Sequence, residues 1–243
     1  MKIDAVILAA SENNDKLKQY EAEYEALIEL EGIPMVKYVI EAVNNSQLIN
    51  KVAMIGPVLS DHDIIFSSSE SVSIIGNVKE GVGRLDVQDY ILIITSDIPL
   101  ITFEMIDDFI NRCLQYGEDI YYPIVPRKVM KKEFPGNQKT YIRTSQGFFT
   151  GGNFILIKRE NIENLSIKAE KFITYRKKPW KILKLLGIQF LIKYFFRSLS
   201  VKAIEKRMTS ILGCKSKAIV INDAEAGMDI DKPEDFVQIC EKL

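Results

Sequence analysis

Short apolar runs alternate with helical stretches over roughly the first half of the chain. Continuous apolar runs of this length are typical of strands buried on both faces of a parallel sheet. They predict strands at Asp4–Ala10, Lys51–Gly56, Ser73–Ile75 and Tyr90–Thr95. Helical spacing of apolar residues predicts helices over Pro34–Asn45 and Phe103–Tyr116, the second with Thr102 as its N-cap. This alternation predicts an α/β fold with a three-layer, mostly parallel twisted sheet.

The second half of the chain is less regular. We expect further strands at Asp119–Ile124, Phe154–Ile157 and Ala218–Ile221, and a last helix that runs to Leu243. The polar, basic segment Arg127–Arg143 indicates an excursion or a hairpin. No internal repeat or low-complexity linker divides the chain, so we predict one domain over residues 1–243 with a helical basic insertion at about 166–217.

Composition and charge narrow the chemistry. The chain has 243 residues and a formal net charge of −1, which argues against nucleic acid as the partner. Three cysteines without a CxxC motif favour a reducing, cytoplasmic setting. The single histidine, His62, is expected in a surface loop and leaves catalysis to carboxylates, lysines, backbone amides or a metal ion. Charges interrupt the apolar stretch Ile182–Leu199, so we expect no membrane-spanning segment.

Two carboxylate positions could bind a metal. Asp97 directly follows the most apolar predicted strand, and ligands bind at the carboxyl ends of strands in open parallel sheets. Oxygen ligands there suit Mg²⁺, although a loop or N-cap aspartate would have the same spacing. Asp229 and Asp231 form a second acidic group, in which Asp231 is also a good N-cap for the last helix. Between Gly81 and Gly83 we expect a tight turn.

Four motifs in order resemble a known family. They are Val6–Ala10 with Ala26–Met35, then Ile94–Leu100, Thr150–Phe154 and Gly227–Asp235. Together they resemble the nucleotidyltransferases with a GT-A-type fold, and among these the MobA-like group that includes molybdenum-cofactor guanylyltransferase. The resemblance implies Mg²⁺-dependent transfer of a nucleoside monophosphate from an NTP to a phosphorylated small-molecule or lipid-precursor acceptor, with release of pyrophosphate.

The resemblance also implies roles for individual residues. Asp97 and Asp231 match the metal ligands, and Asp229 is a further candidate. The positions that match nucleotide contacts are Leu8, Ala9, Ala10, Ser11, Asn77 and Ser96. Acceptor contacts fall on Gly151, Gly152 and Asn153, because glycine backbone permits close approach and an asparagine side chain can donate or accept hydrogen bonds.

The first loop departs from the family pattern, which usually has the form LAAGxGxR followed by a lysine. Here Ser11 stands at the first glycine position, and Glu25 matches that lysine. Between residues 12 and 31 there are seven acidic residues against Lys16 and Lys18. We predict that these two lysines supply the catalytic cations. The alternatives are a GT-A glycosyltransferase that uses a nucleotide sugar and a catalytically degenerate nucleotide-binding protein.

The basic insertion is a separate feature. Residues 166–217 contain fourteen Lys or Arg and two acids, a local net charge of +12 against −1 for the whole chain. Within it, residues 176–197 interleave cations with large apolar and aromatic groups, as helices in a membrane interface do. One interpretation is therefore a cytoplasmic protein with peripheral membrane contact through 176–197. The alternatives are a hairpin packed on the sheet with its cations in water, and a nucleic-acid surface.

Overall fold

The computed structural model of the protein describes residues 3–13, 16–59, 64–68, 73–86, 89–165, 174–175 and 178–243. His62 lies outside these residues. The strands are β1 (Ile3–Leu8), β2 (Glu29–Leu30), β3 (Ile33–Pro34), β4 (Ile49–Ile55), β5 (Ile64–Ser67), β6 (Tyr90–Thr95), β7 (Ile120–Pro126), β8 (Ile142–Thr144), β9 (Gly147–Gly151), β10 (Phe154–Lys158) and β11 (Ser216–Val220). The helices are α1 (Met35–Asn45), α2 (Ile74–Gly83), α3 (Phe103–Leu114), α4 (Arg127–Glu133), α5 (Pro179–Leu186), α6 (Ile188–Phe195), α7 (Val201–Leu212) and α8 (Pro233–Cys240).

Within the described residues, nine strands form one sheet in the order β5-β4-β1-β6-β10-β7-β9-β8, and β11 pairs in parallel with β7. In that sheet β9 and β10 run opposite to the other strands, since both pair antiparallel with β7. β2 and β3 form a separate hairpin. The predicted α/β fold with a mostly parallel sheet is confirmed. The carboxyl ends of β1, β6, β7 and β11 consequently meet at one edge.

Helices cover both faces of the sheet, as the alternation of side chains along β1 illustrates. Ile3, Ala5 and Ile7 face a core that includes apolar residues of α1 and α3. Val6 faces the opposite core, to which α2 and α7 contribute. Because both faces of β1 are buried, its sequence is a continuous apolar run rather than an alternating one. The three-layer arrangement follows from these two cores.

The segment before β6 differs from the prediction. Ser73–Ile75 is not a strand: Ser73 Oγ accepts a hydrogen bond from the Gly76 N–H at 2.9 Å and caps α2. The predicted turn at Gly81 and Gly83 is also wrong, because both lie in α2. A Cβ at Gly81 would stand 2.5 Å from Val6 Cγ1, so this glycine lets the helix backbone approach β1.

The polar, basic segment of the second half is a helix followed by a hairpin, α4 and then β8–β9. The expected helical character of the insertion is confirmed over α5, α6 and α7, the described part of that region, before β11 begins at Ser216. In the described residues, no helix has the length and apolar character needed to cross a membrane. The assignment of residues 1–243 to one domain stays a prediction.

Candidate active site

Asp97 lies just beyond the carboxyl end of β6, the central strand, and two contacts fix it there. The Thr95 hydroxyl donates to Asp97 Oδ1 at 2.5 Å. The Ile230 N–H donates to the Asp97 carbonyl oxygen at 3.0 Å. The second contact brings the Asp229–Asp231 segment, from the far end of the chain, against the end of β6. The two acidic groups that the sequence singled out therefore meet at one edge of the sheet.

Burial and like charge dominate the electrostatics of this edge. The pKa of Asp97 rises from 3.8 to about 7, first because its carboxyl group is buried and next because Asp229 and Asp231 carry the same charge. The Thr95 hydroxyl and the Lys139 ammonium group oppose the rise. A pKa near 7 means that the fold disfavours the ionised form of Asp97, and such perturbed pKa values are common at functional sites.

Lys139 is the residue of this site that sequence reasoning missed. Its ammonium group forms an ion pair with Asp229 Oδ1 and donates to the Asp229 carbonyl oxygen at 3.1 Å. Burial opposes its charge, but the carboxylates of Asp229, Asp235 and Asp231 together outweigh burial and raise the Lys139 pKa. The Lys139 N–H donates to Asn137 Oδ1 at 2.9 Å, which fixes the loop. Nothing in the polar, basic sequence around Lys139 distinguishes it from its neighbours.

At the start of α8, Asp231 does not occupy the N-cap position that the sequence indicated. Lys232 occupies the N-cap position, and no side chain caps the helix. The Asp231 N–H instead donates to Asp235 Oδ2 at 3.2 Å, inside the first turn. Asp235 is itself buried, and burial raises its pKa. The N-cap interpretation of Asp231 is wrong, and its carboxylate belongs to the charges that surround Asp97.

The donor set at this edge suits a hard cation. Among the described residues, no three Asp, Glu, His or Cys side chains converge closely enough to hold a metal ion by themselves. Mg²⁺ commonly takes only one or two protein carboxylates and completes its coordination with water and substrate phosphates. Asp97 with Asp231 fits that mode, while Asp229 is engaged by Lys139. The assignment of these aspartates as metal ligands stays a prediction.

The backbone after β1 reaches the same edge. The Ser96 N–H donates to the Leu8 carbonyl oxygen at 3.1 Å, and the Ala9 N–H donates to the Ile55 carbonyl oxygen at 2.8 Å. Gly56, at the end of β4, has φ +148°, and a Cβ there would lie 2.6 Å from the Ala9 carbonyl carbon. Only glycine fits this close approach. Of the predicted nucleotide residues, Leu8 and Ser96 are thus in contact beside Asp97.

The rest of the first loop folds back on itself. The Asn13 side-chain amide nitrogen lies within hydrogen-bond distance of the carbonyl oxygens of Leu17, Tyr20 and Ala22, which closes the loop. At its base the Glu25 N–H donates to the Ser11 carbonyl oxygen at 3.0 Å. Near its tip the Tyr20 ring stacks on Phe236 of α8 with ring centroids 4.2 Å apart. The loop therefore rests against the helix that follows Asp231.

The two lysines of this loop lie on its surface. Lys18 lines a cleft of 320 Å³ together with Glu12, Glu21 and Glu23. The acidic surroundings that the sequence indicates are thus present in three dimensions. Lys16 precedes the buried Leu17. Ala10 follows Ala9 at the edge of the sheet, whereas Asn77 is buried in α2, which packs on β1 and β4.

The predicted acceptor residues join β9 to β10. A Cβ at Gly151 would overlap the Tyr122 hydroxyl group, and one at Gly152 would lie 2.8 Å from Pro123 Cγ. The space that these glycines leave is therefore filled by neighbouring residues of β7. The Asn153 carbonyl oxygen accepts a hydrogen bond from the Thr95 N–H at 3.1 Å, and the Thr95 hydroxyl oxygen, whose proton goes to Asp97, lies 3.2 Å from it. Asn153 consequently lies beside the Thr95–Asp97 contact.

A basic cleft opens beyond the end of β7. It has a volume of 580 Å³, and its lining includes Arg127, Lys128, Lys131, Phe148 and Asn222. The guanidinium carbon of Arg127 lies 5.4 Å from the Phe148 ring centroid. Cations beside an aromatic face suit an anionic ligand that also carries apolar or ring atoms. Sequence reasoning missed this cleft because its residues come from α4, the β8–β9 hairpin and the segment after β11.

An aspartate behind the central strand of a mostly parallel sheet stands where ligands bind in open α/β folds. The chain belongs to the MobA-like NTP transferase family, whose domain matches residues 5–167, and it is a nucleotidyltransferase of that family. The sequence-based resemblance is thus confirmed.

Solved structures show the same fold. A hypothetical transferase from Thermus thermophilus is 27% identical, with a TM-score of 0.82 over 97% of this chain and 100% of the other. CMP:2-keto-3-deoxy-manno-octonic acid synthetase in complex with CTP is 11% identical, with a TM-score of 0.64 over 100% and 98%. A nucleotidyl transferase from Methanothermobacter thermautotrophicus is 12% identical, with a TM-score of 0.63 over 99% and 97%. No curated protein matches the chain.

Proposed function

We propose that the protein transfers a nucleoside monophosphate from an NTP to a phosphorylated small molecule or lipid precursor, in a Mg²⁺-dependent reaction. The observation that carries the proposal is the meeting of Asp97 with the Asp229–Asp231 segment at the carboxyl edge of the sheet. Three like charges in a partly dry site repel each other, and a divalent cation with its phosphates relieves that repulsion.

The proposed reaction is an in-line displacement. An oxygen of the acceptor phosphate forms a bond to the α-phosphorus of the NTP, and the bond from that phosphorus to the bridging oxygen of the β-phosphate breaks. Pyrophosphate leaves with the bond electrons. A phosphate oxygen is already negatively charged at neutral pH, so the step needs no strong general base. A reaction that needs no strong general base is compatible with a chain that has one histidine.

The nucleotide side is proposed from the residues around β1 and β6. Backbone groups of Leu8, Ala9, Ala10 and Ser11 and the Ser96 side chain would approach the nucleotide, since Leu8 and Ser96 are in direct contact beside Asp97. Asn77 is retained as a nucleotide residue from the resemblance. When bound, Mg²⁺ would be held by Asp97 with Asp231 or Asp229 and would neutralise phosphate charge.

Lys16 and Lys18 remain the proposed cations for the leaving pyrophosphate. Their loop folds back and rests against α8 through the stacking of Tyr20 on Phe236, which supports a place near the site. The glutamates around Lys18 weigh against it, because they repel a triphosphate. Lys139 acts as a positioning residue: its ammonium group holds Asp229 and so limits the negative charge that faces the phosphates.

The acceptor is proposed to bind between Asn153 and the basic cleft. Asn153 lies beside Thr95 and Asp97, and the cleft supplies Arg127, Lys128 and Lys131 for an acceptor phosphate. Gly151 and Gly152 would contribute by shaping the connection between β9 and β10. They leave no open space for the acceptor, because Tyr122 and Pro123 fill the space beside them.

A cytoplasmic location is also part of this proposal. It is supported by the free thiols of Cys113, Cys214 and Cys240, which suit a reducing compartment. Peripheral contact with a membrane through residues 176–197 is retained with it.

Thermal unfolding with each of the four NTPs and with UDP-sugars, with and without Mg²⁺, tests the proposal. One NTP at about a hundred times its Kd should stabilise the protein by roughly 2.7 kcal/mol, or about 5–10 °C in Tm, only when Mg²⁺ is present. Asp97→Asn should abolish this metal-dependent part. The matched control Asp108→Asn, which alters an exposed aspartate paired with Arg112, should keep it.

The other outcomes contradict the proposal in different ways. Stabilisation by a UDP-sugar but by no NTP would indicate a glycosyltransferase. A protein that responds to no nucleotide, with or without metal, would be a degenerate member of the family, as the glutamates around Lys18 would explain. Retained response in both Lys16→Ala and Lys18→Ala would remove these two lysines from the site while leaving the nucleotide assignment intact.

A further inference from the structure

The insertion displays a continuous apolar surface on α5 and α6. Five large side chains of this surface, between 50% and 78% exposed, are Trp180, Ile188, Ile192, Phe195 and Phe196. The last four fall at helical spacing and share one face of α6 and its end. The Trp180 ring contacts the Phe195 ring at a centroid distance of 5.9 Å and so joins α5 to that face. We call these five side chains the apolar patch.

A different face of α6 accounts for the packing of the helix. Phe190 and Tyr194 pack against a small core centred on Leu186 and Leu199, to which α7 also contributes. The exposure of the apolar patch is therefore not a consequence of a helix left without support. An amphipathic helix needs one apolar stripe to pack, whereas α6 has two, and the second faces outward. Exposed apolar patches of this kind mark interaction surfaces.

Positive charge surrounds the apolar patch. Lys181, Lys184, Lys193 and Arg197 are exposed on the same two helices and their end. In the sequence, residues 171–204 contain nine Lys or Arg and no Asp or Glu. A second copy of the chain is a poor occupant, because it would bring the same cations against these. A binding partner with an apolar interior and a negatively charged outer layer would contact both the apolar patch and the cations around it.

We propose that α5 and α6 form a docking surface for an anionic membrane leaflet. Ile188, Ile192, Phe195 and Phe196 enter the boundary between headgroups and acyl chains, and Trp180 lies at the interface, where tryptophan is enriched. The surrounding Lys and Arg side chains contact acidic headgroups. The helices are too short to cross the bilayer, so the protein lies on it.

The docking surface is fixed to the catalytic body. Arg143 Nη2, in β8, donates to the Tyr194 carbonyl oxygen at 2.8 Å, and its guanidinium group lies over the Tyr194 ring. The Ser145 N–H donates to the Leu199 carbonyl oxygen at 2.7 Å, and the Val201 N–H to Gln146 Oε1 at 3.2 Å. These contacts reach the β8–β9 hairpin, which also lines the basic cleft. Membrane binding would thus orient the cleft relative to the leaflet.

Co-sedimentation of the full chain with vesicles tests the proposal. We expect binding to vesicles of phosphatidylglycerol and phosphatidylcholine, and at least tenfold weaker binding to phosphatidylcholine alone. The variant Ile192→Ser/Phe195→Ser/Phe196→Ser should lose at least tenfold in partition coefficient. Its matched control, Val58→Ser/Tyr116→Ser, alters exposed apolar side chains elsewhere and should bind normally. Neutralising Lys181, Lys184 and Lys193 together with alanine should weaken binding by about 100-fold.

Circular dichroism and the NTP-induced Tm shift show whether each variant is folded, and they separate this proposal from that on the active site. Absence of binding to anionic vesicles by the folded wild type would overturn the membrane proposal. Equal binding by the apolar variant and its control would overturn the assignment of the surface. Sedimentation velocity over a range of concentrations gives a third outcome: a dimer that the apolar variant disrupts would make the surface an interface between copies and overturn the proposal.

Discussion

Replacing Asp97 with asparagine should stabilise the metal-free protein, and the gain should grow with pH. Asparagine keeps an oxygen that can accept the hydrogen bond from Thr95, so the variant removes mainly the charge. In the folded protein the Asp97 pKa is about 7, against 3.8 without the fold. The folded state therefore binds the proton more tightly than the unfolded state, and wild-type stability falls as pH rises from about 4 to above 7.

The magnitude follows from these two pKa values. The difference between them corresponds to about 4 kcal/mol in the free energy of unfolding, at roughly 1.4 kcal/mol for each tenfold change in proton affinity. Between pH 5 and pH 8 the wild type should lose about 2–3 kcal/mol of this, because part is already lost by pH 5. Asp97→Asn lacks this loss. Its stability relative to the wild type should thus be about 2–3 kcal/mol more favourable at pH 8 than at pH 5.

Urea unfolding in EDTA, followed by far-ultraviolet circular dichroism at pH 5 and pH 8, measures this difference. Fluorescence is a poor probe because the single tryptophan, Trp180, is exposed in the insertion. Asp108→Asn is the matched control and should change stability by less than about 1 kcal/mol at both pH values, as an exposed ion pair does. The reasoning fails if the advantage of Asp97→Asn is the same at both pH values, or if the variant is less stable at pH 8.

Two further predictions concern packing and charge. Gly81→Ala should destabilise the protein by about 1–3 kcal/mol, because its Cβ would overlap a β1 side chain, whereas Gly83→Ala, with open space around it, should stabilise by up to about 1 kcal/mol. Thermal unfolding measures both, and equal effects would contradict the close packing of α2 on the sheet. Lys139→Met leaves the largely buried Asp229 without its partner and should cost roughly 3 kcal/mol at pH 8 by urea unfolding, while Lys132→Met, at an exposed pair, should leave the free energy of unfolding nearly unchanged. Similar losses in the two variants would contradict a buried ion pair at Lys139.

The aspartates that the sequence singled out at the candidate active site share a strong local signal. Asp97 follows the most apolar predicted strand, and the rule that ligands bind at the carboxyl edge of such sheets gives its place without a structure. Asp229 and Asp231 stand in a compact acidic motif. Their contact with the end of β6, through the Ile230 N–H, joins positions more than 130 residues apart in the chain, and only the family resemblance anticipated it.

Other parts of the site lack such a signal. Lys139 is one cation among many in a basic segment, and its role depends on a contact with Asp229 that local sequence does not encode. Gly81 and Gly83 suit a turn as well as a helix, and the packing of Gly81 against Val6 of β1 is a contact that the local sequence does not encode. The basic cleft is assembled from three separate segments, so no window of the sequence contains it.

The last helix, α8, contacts both the first loop and the segment that carries Asp231. Phe236 supports the first loop through Tyr20, and the Asp235 carboxylate accepts a hydrogen bond from the Asp231 backbone, beside the aspartate cluster. During synthesis on the ribosome, residues 3–13 emerge long before either contact can form. The central sheet can begin to assemble from its early strands, but the first loop gains its support only after α8 has left the exit tunnel. A nascent chain that stops before α8 should therefore lack the support that Phe236 gives to the first loop.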